Sequence, residues 1–326
     1  MKKAVTSPKN APLISVVIPV YNEAANIPVL ADELLEVFKK LPFKFEVLFV
    51  DDGSTDTTYR AVQDLRQKDR RTKALSLSRN FGHQAALTAG LEFAQGEAVI
   101  TMDGDLQHPP SLIPALLEQW QNGNQIVYTI RDETEGEPLV KKMTSRIFYR
   151  LMNAFSETSI QPFAADFRLL DRKVVDSLKT IEERDRFLRG LIGWVGFSSI
   201  GVSYKADARF AGKSKYTFRK MMRLALDGIV SFSATPLHLV TYLGLTVSFL
   251  SFLYGLYSLY SYFFTDRTVP GWTSILVTVL FLGGVQLVSI GVLGEYLIRV
   301  YNEAKGRPLY IIKDSLGIDT SKRPSR

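Results

Sequence analysis

Two carboxylates leave the end of an apolar run together. Asp103-Gly104-Asp105 follows Ala98-Val99-Ile100-Thr101-Met102 and precedes Leu106-Gln107-His108-Pro109-Pro110. A carboxylate pair this close repels itself unless a cation sits between its members. Hard oxygen ligands of this kind suit Mg²⁺ or Mn²⁺, and such an ion can hold a diphosphate. Strand-to-loop turns are also rich in Asp for backbone reasons, so a solvated turn is the competing reading of these residues alone. Two more polar clusters end apolar runs in the same way: Tyr21-Asn22-Glu23 and Asp51-Asp52-Gly53-Ser54.

The elements that must position these clusters alternate along the chain. Continuous apolar runs at Ile14–Ile18, Phe45–Val50, Lys73–Leu77, Ala98–Met102 and Gln125–Ile130 read as strands. Glu23–Lys40, Asp56–Asp69, His83–Ala94 and Ser111–Gln121 read as helices. Strand–helix alternation with strands buried on both faces implies an α/β fold, a mostly parallel sheet covered by helices. Ligands in such sheets bind at the carboxyl ends of the strands. All three polar clusters fall at those ends, so they converge on one site. No Gly-x-Gly-x-x-Gly follows the first strand and no Walker loop occurs, which disfavours dinucleotide oxidoreduction and ATP hydrolysis by those routes.

The 326 residues carry a formal net charge of +7, which favours anionic partners such as nucleotide phosphates or acidic lipid. With no cysteine, disulfides, thiol catalysis and zinc–thiolate sites are excluded. The three histidines are far apart in sequence, which argues against a His-rich metal site. Residues 1–12 form a polar, basic arm without the apolar core of a signal peptide.

A second solvent is written into the carboxyl-terminal third. No Asp, Glu, Lys or Arg occurs from Gly228 to Thr265, nor from Thr268 to Gly294. A span needs roughly 20 apolar residues to cross a ~30 Å hydrocarbon layer. Two transmembrane helices are therefore expected, at about 237–264 and 273–298, within 236–300. Pro236 divides the first run from an interfacial stretch. Tyr257, Tyr260, Tyr262 and Trp272 flank the short turn at Asp266-Arg267 as an aromatic belt would, giving a hairpin. Lys213, Lys215, Arg219, Lys220 and Arg223 precede it, and Arg299, Lys305, Arg307 and Lys313 follow it. The positive-inside rule puts both ends in the cytoplasm. Basic amphipathic segments at 141–155 and 218–235 suit a membrane surface or an ordinary domain core. Gly283, Gly284, Gly291 and Gly294 permit close helix packing, within the hairpin or between chains as a homo-oligomer.

With these pieces in hand, the chain resembles family 2 glycosyltransferases of the GT-A fold. The resemblance runs through Ser15-Val16-Val17-Ile18-Pro19-Val20-Tyr21-Asn22-Glu23 and Val50-Asp51-Asp52-Gly53-Ser54-Thr55-Asp56. Arg79-Asn80-Phe81-Gly82, Asp103–Pro109, Ala165–Asp171, Arg209–Tyr216, Gly294-Glu295-Tyr296 and Arg307–Ile311 narrow it to the polyisoprenyl-phosphate branch, which includes dolichyl-phosphate mannose synthases and their bacterial relatives. It covers nearly the whole chain after about Leu13.

The resemblance implies a GT-A domain at 13–217, an interfacial helix at 218–235, the hairpin, and a cytoplasmic tail at 301–326. It implies that Pro19, Tyr21, Glu23, Val50 and Asp52 hold the nucleotide, and that Asp103, Gly104, Asp105 and Gln107 form the metal and diphosphate site. Arg131 matches a sugar-nucleotide contact, and Arg209 and Lys215 match cations that grip phosphate in a loop near the membrane. Asp166 matches a position often read as a catalytic base, although it can instead orient Arg168 or the sugar hydroxyls. The activity implied is inverting, metal-dependent transfer of a hexose from a nucleotide sugar, UDP-glucose by preference or GDP-mannose, to a polyprenyl phosphate in the bacterial plasma membrane. A processive polysaccharide synthase needs more spans and a Gln-x-x-Arg-Trp motif, which is absent. A non-catalytic scaffold that binds nucleotide sugar is the reading from another class.

Overall fold

The computed structural model describes residues 11–131, 164–184, 186–204, 235–264 and 271–320. The chain divides into two compact units, one holding residues 1–150, 158–217 and 308–326, the other 151–157 and 218–307.

The first unit is built on one sheet of eight strands. These are β1 (Leu13–Val20), β2 (Lys44–Asp51), β3 (Thr72–Leu77), β4 (Ala98–Thr101), β5 (Ile126–Arg131), β6 (Ala164–Asp171), β7 (Ser199–Tyr204) and β8 (Ile312–Leu316). Their order is β7-β5-β6-β4-β1-β2-β3-β8. The central strands β4, β1, β2 and β3 run parallel. Around them pack α1 (Asn26–Phe38), α2 (Thr58–Lys68), α3 (His83–Phe93), α4 (Ile113–Gln121), α5 (Arg172–Thr180) and α6 (Leu188–Trp194). A short 3₁₀ turn at Pro110–Leu112 leads into α4.

The alternation read from the sequence is thus present, and its cause is visible. Every residue of β1 after Leu13 is buried, as is every residue of β2 after Lys44, because helices cover both faces. On one face Ile14, Val16, Ile18, Phe45, Val47 and Phe49 pack with Ile27, Leu30 and Leu34 of α1. The opposite face of the sheet also takes in a charge. Glu46 is paired with Lys73 Nζ at 2.6 Å and accepts hydrogen bonds from the Ser15 hydroxyl and the Gln95 N–H. Such pairing is the condition for burying a carboxylate.

Three features were not visible in the alternation. β6 runs antiparallel between β4 and β5, with Thr101 opposite Arg168 and Tyr128 opposite Arg168. β7 adds a parallel edge to β5. The third concerns the segment at 301–326, read from sequence as a tail. It supplies β8, which pairs antiparallel with β3, Ala74 facing Leu316 and Leu77 facing Ile312. Tyr310 is fully buried there, and its hydroxyl donates to Glu92 of α3.

The second unit contains α7 (Thr235–Phe264) and α8 (Trp272–Ala304). Both are long and apolar enough to cross a membrane, and their spanning stretches have no buried side chain among the described residues. Leucine, phenylalanine and tyrosine are exposed along both helices, which water would penalise and hydrocarbon would not.

Removing the Tyr310 side chain leaves a cavity beneath β8. Tyr310→Ala is expected to destabilise the first unit by about 3–5 kcal/mol, as aromatic truncations in a core do. Denaturant unfolding followed by tryptophan fluorescence measures the loss, and a midpoint equal to that of the parent would show that β8 contributes nothing to the sheet.

Candidate functional site

Strands β1, β2, β3 and β4 all run the same way, so their carboxyl ends share one edge of the sheet. Each of the three polar clusters begins where one of them stops. After β1, Asn22 takes a left-handed conformation with φ of 56°. Its N–H donates to the Ser54 hydroxyl at 3.0 Å, and its side-chain oxygen accepts from the Thr55 N–H at 2.9 Å. Glu23 N–H donates to Thr58 Oγ1 at 2.8 Å. The loops after β1 and β2 are thereby tied together, with the Tyr21 ring 44% exposed beside them.

The loop after β2 is held by its two carboxylates. Asp51 accepts from the Ser54 N–H and the Ser76 hydroxyl, each at 3.0 Å. Asp52 is 4% exposed and accepts from the N–H groups of Phe81 and Gly82 at 2.7 and 2.9 Å. Burial pushes the Asp52 carboxyl above its ordinary value, and those two backbone donors work against the rise. Gly53 has φ of 68°, and a Cβ there would lie 2.3 Å from the carbonyl carbon of Arg79. Only glycine lets this turn close against the 79–82 segment.

The loop after β4 carries the acidic pair. A Cβ on Gly104 would lie 2.7 Å from Val20 Cγ1, so the backbone of this loop sits directly on the end of β1. Leu106 is left-handed, with φ of 62°. Beyond it the chain folds back, and Gln107 donates to Asp105 through its N–H at 3.2 Å and through its side-chain amide. His108 anchors the loop from within. Its Nδ1 accepts the Asp103 N–H at 3.0 Å, and its ring lies 5.4 Å from that of Phe167. Burial pushes the His108 pKa down, which keeps the ring neutral and able to accept.

The antiparallel register between β4 and β6 brings in a residue from far along the chain. With Thr101 opposite Arg168, the start of β6 lies beside the end of β4, where the loop of Asp103 begins. Thr101 Oγ1 donates to the Asp166 carbonyl at 2.6 Å. The Asp166 carboxylate accepts from Arg189 Nε at 2.8 Å and from a terminal guanidinium nitrogen at 2.7 Å, one on each oxygen. Arg168 approaches it to 3.4 Å. His83 Nε2 stands 3.7 Å from an oxygen of Asp166 and 3.7 Å from one of Asp103.

The charges respond to one another. Burial opposes ionisation of Asp166, but Arg189, His83 and Arg168 outweigh it and hold the carboxyl well below the usual range. Burial likewise opposes the charged form of His83, yet the carboxylates of Asp166 and Asp103 lift its pKa. Asp103 is raised, by burial first and then by Asp166 and Asp105, against the pull of His108 and His83.

The donor set of this loop fits a hard divalent cation. It offers two carboxylates and one amide oxygen, a set of hard oxygen donors. Among the described residues no three His, Asp or Glu side chains are arranged to hold an ion. The set of Asp103, Asp105 and Gln107 would thus leave positions to water and substrate, as Mg²⁺ and Mn²⁺ sites commonly do.

The residues expected at the site divide as follows. Pro19, Tyr21, Glu23, Asp52, Asp103, Gly104, Asp105, Gln107 and Asp166 meet at the one edge, and Arg131 ends β5 there. Val50 does not reach it by its side chain, which is fully buried in the layer between β2 and α3, 3.2 Å from a Cβ built on Gly90. Val50 underlies the site rather than lining it. Arg209, Gly212, Ser214 and Lys215 lie outside the described residues, as do both basic amphipathic segments. His83 and Arg189 join the cluster without having been marked by local sequence, although Arg79-Asn80-Phe81-Gly82 lies beside His83; His108 belongs to the Asp103–Pro109 motif, which assigned it no role.

The sequence model of glycosyl transferase family 2 matches residues 15–179. An uncharacterized glycosyltransferase of Synechocystis sp. is 46% identical, over 94% of this chain and 96% of its own length. One from Bacillus subtilis is 44% identical, over 94% and 95%. A bactoprenol glucosyl transferase of Shigella phage SfII is 44% identical, over 93% of this chain and 98% of its own. Among solved structures, a mannosyltransferase from Pyrobaculum calidifontis in complex with GDP-Man and Mn²⁺ is 18% identical, over 93% of this chain and 90% of that chain, with a TM-score of 0.48.

Gly53→Ala forces a methyl group into the Arg79 backbone at a left-handed position. The expected cost is about 2–3 kcal/mol of stability, from overpacking and backbone strain together. Weaker nucleotide binding should accompany it, because the loops after β2 and β3 move apart. Denaturation and nucleotide titration of the purified variant measure both, and parental values in both would show that the close approach is not required.

Proposed function

This chain belongs to glycosyltransferase family 2, and we propose that it transfers a hexose from a nucleotide diphosphate sugar to a polyprenyl phosphate at the cytoplasmic face of a membrane. UDP-glucose is the preferred donor in this reading. The observation that carries it is end-to-end likeness, apolar helices included, to a relative named bactoprenol glucosyl transferase. GDP-mannose is the second donor, favoured by the dolichyl-phosphate mannose synthase-like motifs.

The site chemistry suits the reading. A phosphate oxygen of the acceptor attacks the anomeric carbon, the bond to the nucleotide diphosphate breaks, and the electron pair leaves with the diphosphate. Attack opposite the leaving group inverts the anomeric centre. Tyr21, Glu23 and Asp52 border the pocket proposed for the nucleotide, and Arg131 is proposed to contact the donor. Asp103, Asp105 and Gln107 would hold Mg²⁺ or Mn²⁺, which supplies compensation for charge on the departing diphosphate. Arg209 and Lys215 are proposed to grip phosphate. A phosphate acceptor is already anionic at neutral pH, so positioning counts for more than deprotonation.

The acceptor explains the second unit. A polyprenyl tail stays in the bilayer, because each CH₂ moved to water costs about 0.8 kcal/mol. In this reading α7 and α8 cross the membrane as a hairpin. β8 supports an even number of crossings, because the chain that leaves the sheet before α7 rejoins it after α8.

Incubation with radiolabelled UDP-glucose, polyprenyl phosphate and Mn²⁺ or Mg²⁺ should move label into a butanol-extractable lipid. Absence of transfer from every common UDP- and GDP-sugar would overturn the proposal. Asp105→Ala should abolish transfer while the thermal unfolding midpoint stays near that of the parent. Chelation with EDTA should also stop transfer, and added Mn²⁺ or Mg²⁺ should restore it; full activity in either case would remove the metal from the proposal.

A further inference from the structure

We propose that Arg189 is a positioning residue for sugar transfer, acting through Asp166, whose carboxylate it fixes by both oxygens as a permanent anion rather than a proton acceptor. The inference rests on the transferase reading above and assigns a role within it.

Arg189 is the second residue of α6, and the start of that helix is docked. The Leu188 N–H donates to the side-chain oxygen of Gln84 at 3.1 Å, and Gln84 follows His83 at the start of α3. Two helix starts therefore meet over Asp166, whose side chain is only 13% exposed. From α6, Arg189 places a fork on the carboxylate, 2.8 Å to one oxygen and 2.7 Å to the other. The planar guanidinium matches a carboxylate edge to edge, a geometry no lysine reproduces.

This arrangement conflicts with a base. Each Asp166 oxygen already accepts from the Arg189 fork, and its second acceptor site is approached by Arg168 at 3.4 Å or by His83 at 3.7 Å, so an added proton would enter a side chain already surrounded by donors. The acceptor chemistry makes no such demand, since a phosphate monoester attacks as an anion. What the fixed carboxylate does instead is visible on its other side. His83 Nε2 is 3.7 Å from Asp166 Oδ2 and 3.7 Å from Asp103 Oδ1. Asp166 and Asp103 thus flank the imidazole at equal distance, and Arg189 fixes Asp166. Through this chain α6 sets the position of the loop proposed to bind the diphosphate.

The test is a double-mutant cycle on the full-length protein, with UDP-glucose (or whichever donor the parent uses) and polyprenyl phosphate. Arg189→Lys keeps the charge and loses the fork, so its kcat is expected to fall about 10–100-fold, while nucleotide affinity stays within about twofold. Asp166→Asn should lose a similar factor. The double variant Asp166→Asn with Arg189→Lys should be no worse than the poorer single, because both changes break one unit. Gln84→Ala, which undocks α6 without touching Asp166, is expected to lower kcat in the same direction and serves if either first variant fails to bind nucleotide.

Three outcomes overturn the proposal: kcat of Arg189→Lys within about twofold of the parent, losses that multiply in the double variant, or an Asp166→Asn loss beyond about 10³-fold beside an active Arg189→Lys. The last would make Asp166 the base. A parent protein that transfers no sugar at all instead overturns the function on which the proposal rests.

Discussion

A carboxylate removed from water must find hydrogen bonds or a counter-charge, and this constraint organises the candidate site. Asp51 and Asp52 end or follow β2, which is buried from Phe45 onward. Their oxygens find backbone N–H groups and hydroxyls of the neighbouring loops, and those loops are fixed as a result. Asp166 finds Arg189, Arg168 and His83 in the same way. The edge of the sheet is ordered because its acids are satisfied by specific partners from separate segments. Asp103 and Asp105 stand apart from this pattern: Asp105 is met by the amide of Gln107, while the Asp103 carboxylate has His83 at 3.7 Å and His108 takes only its backbone N–H. A pair left with more negative charge than its neighbours neutralise is a pair suited to a cation from solution.

The central part of this arrangement could be read from the chain alone. Ile14–Ile18, Phe45–Val50 and Ala98–Met102 are runs too apolar to have a wet face, so they had to be covered on both sides, and helices of amphipathic period lay between them. The polar residues that follow each run then had to lie at one edge. Periodicity could not show how β6 inserts, since an antiparallel strand between two parallel ones depends on pairing across the sheet. His83 and Arg189 escaped for the same reason: the first is 20 residues before Asp103, the second 23 residues after Asp166, and neither lies in a pattern of its own. At Val50 the side chain belongs to the core, which its position next to the Asp51-Asp52 cluster did not reveal.

Length and polarity concealed β8 as well. Ile-Lys-Asp-Ser-Leu follows a long apolar helix and has the composition of a solvated tail. Its strand character comes from β3, whose free edge supplies the hydrogen-bond ladder, and from Tyr310, which fills the space beside α3. Alternating charge suits an edge strand, where one side of the backbone stays open to solvent and an apolar sequence would invite other chains.

That pairing has a consequence for how the protein is made. Domains emerge and fold from the amino terminus during synthesis, and β1 through β7 are complete long before Ile312 is translated. Until both apolar helices have left the ribosome, β3 has no partner on one side, and the pocket for Tyr310 stands empty. The nascent first unit therefore carries an open strand edge throughout the synthesis of the two apolar helices. Completion of the sheet becomes a late, long-range step, slow by virtue of the chain it must close over. A chain that stops before Ile312 would keep that edge exposed, which makes an incomplete product recognisable to chaperones and proteases.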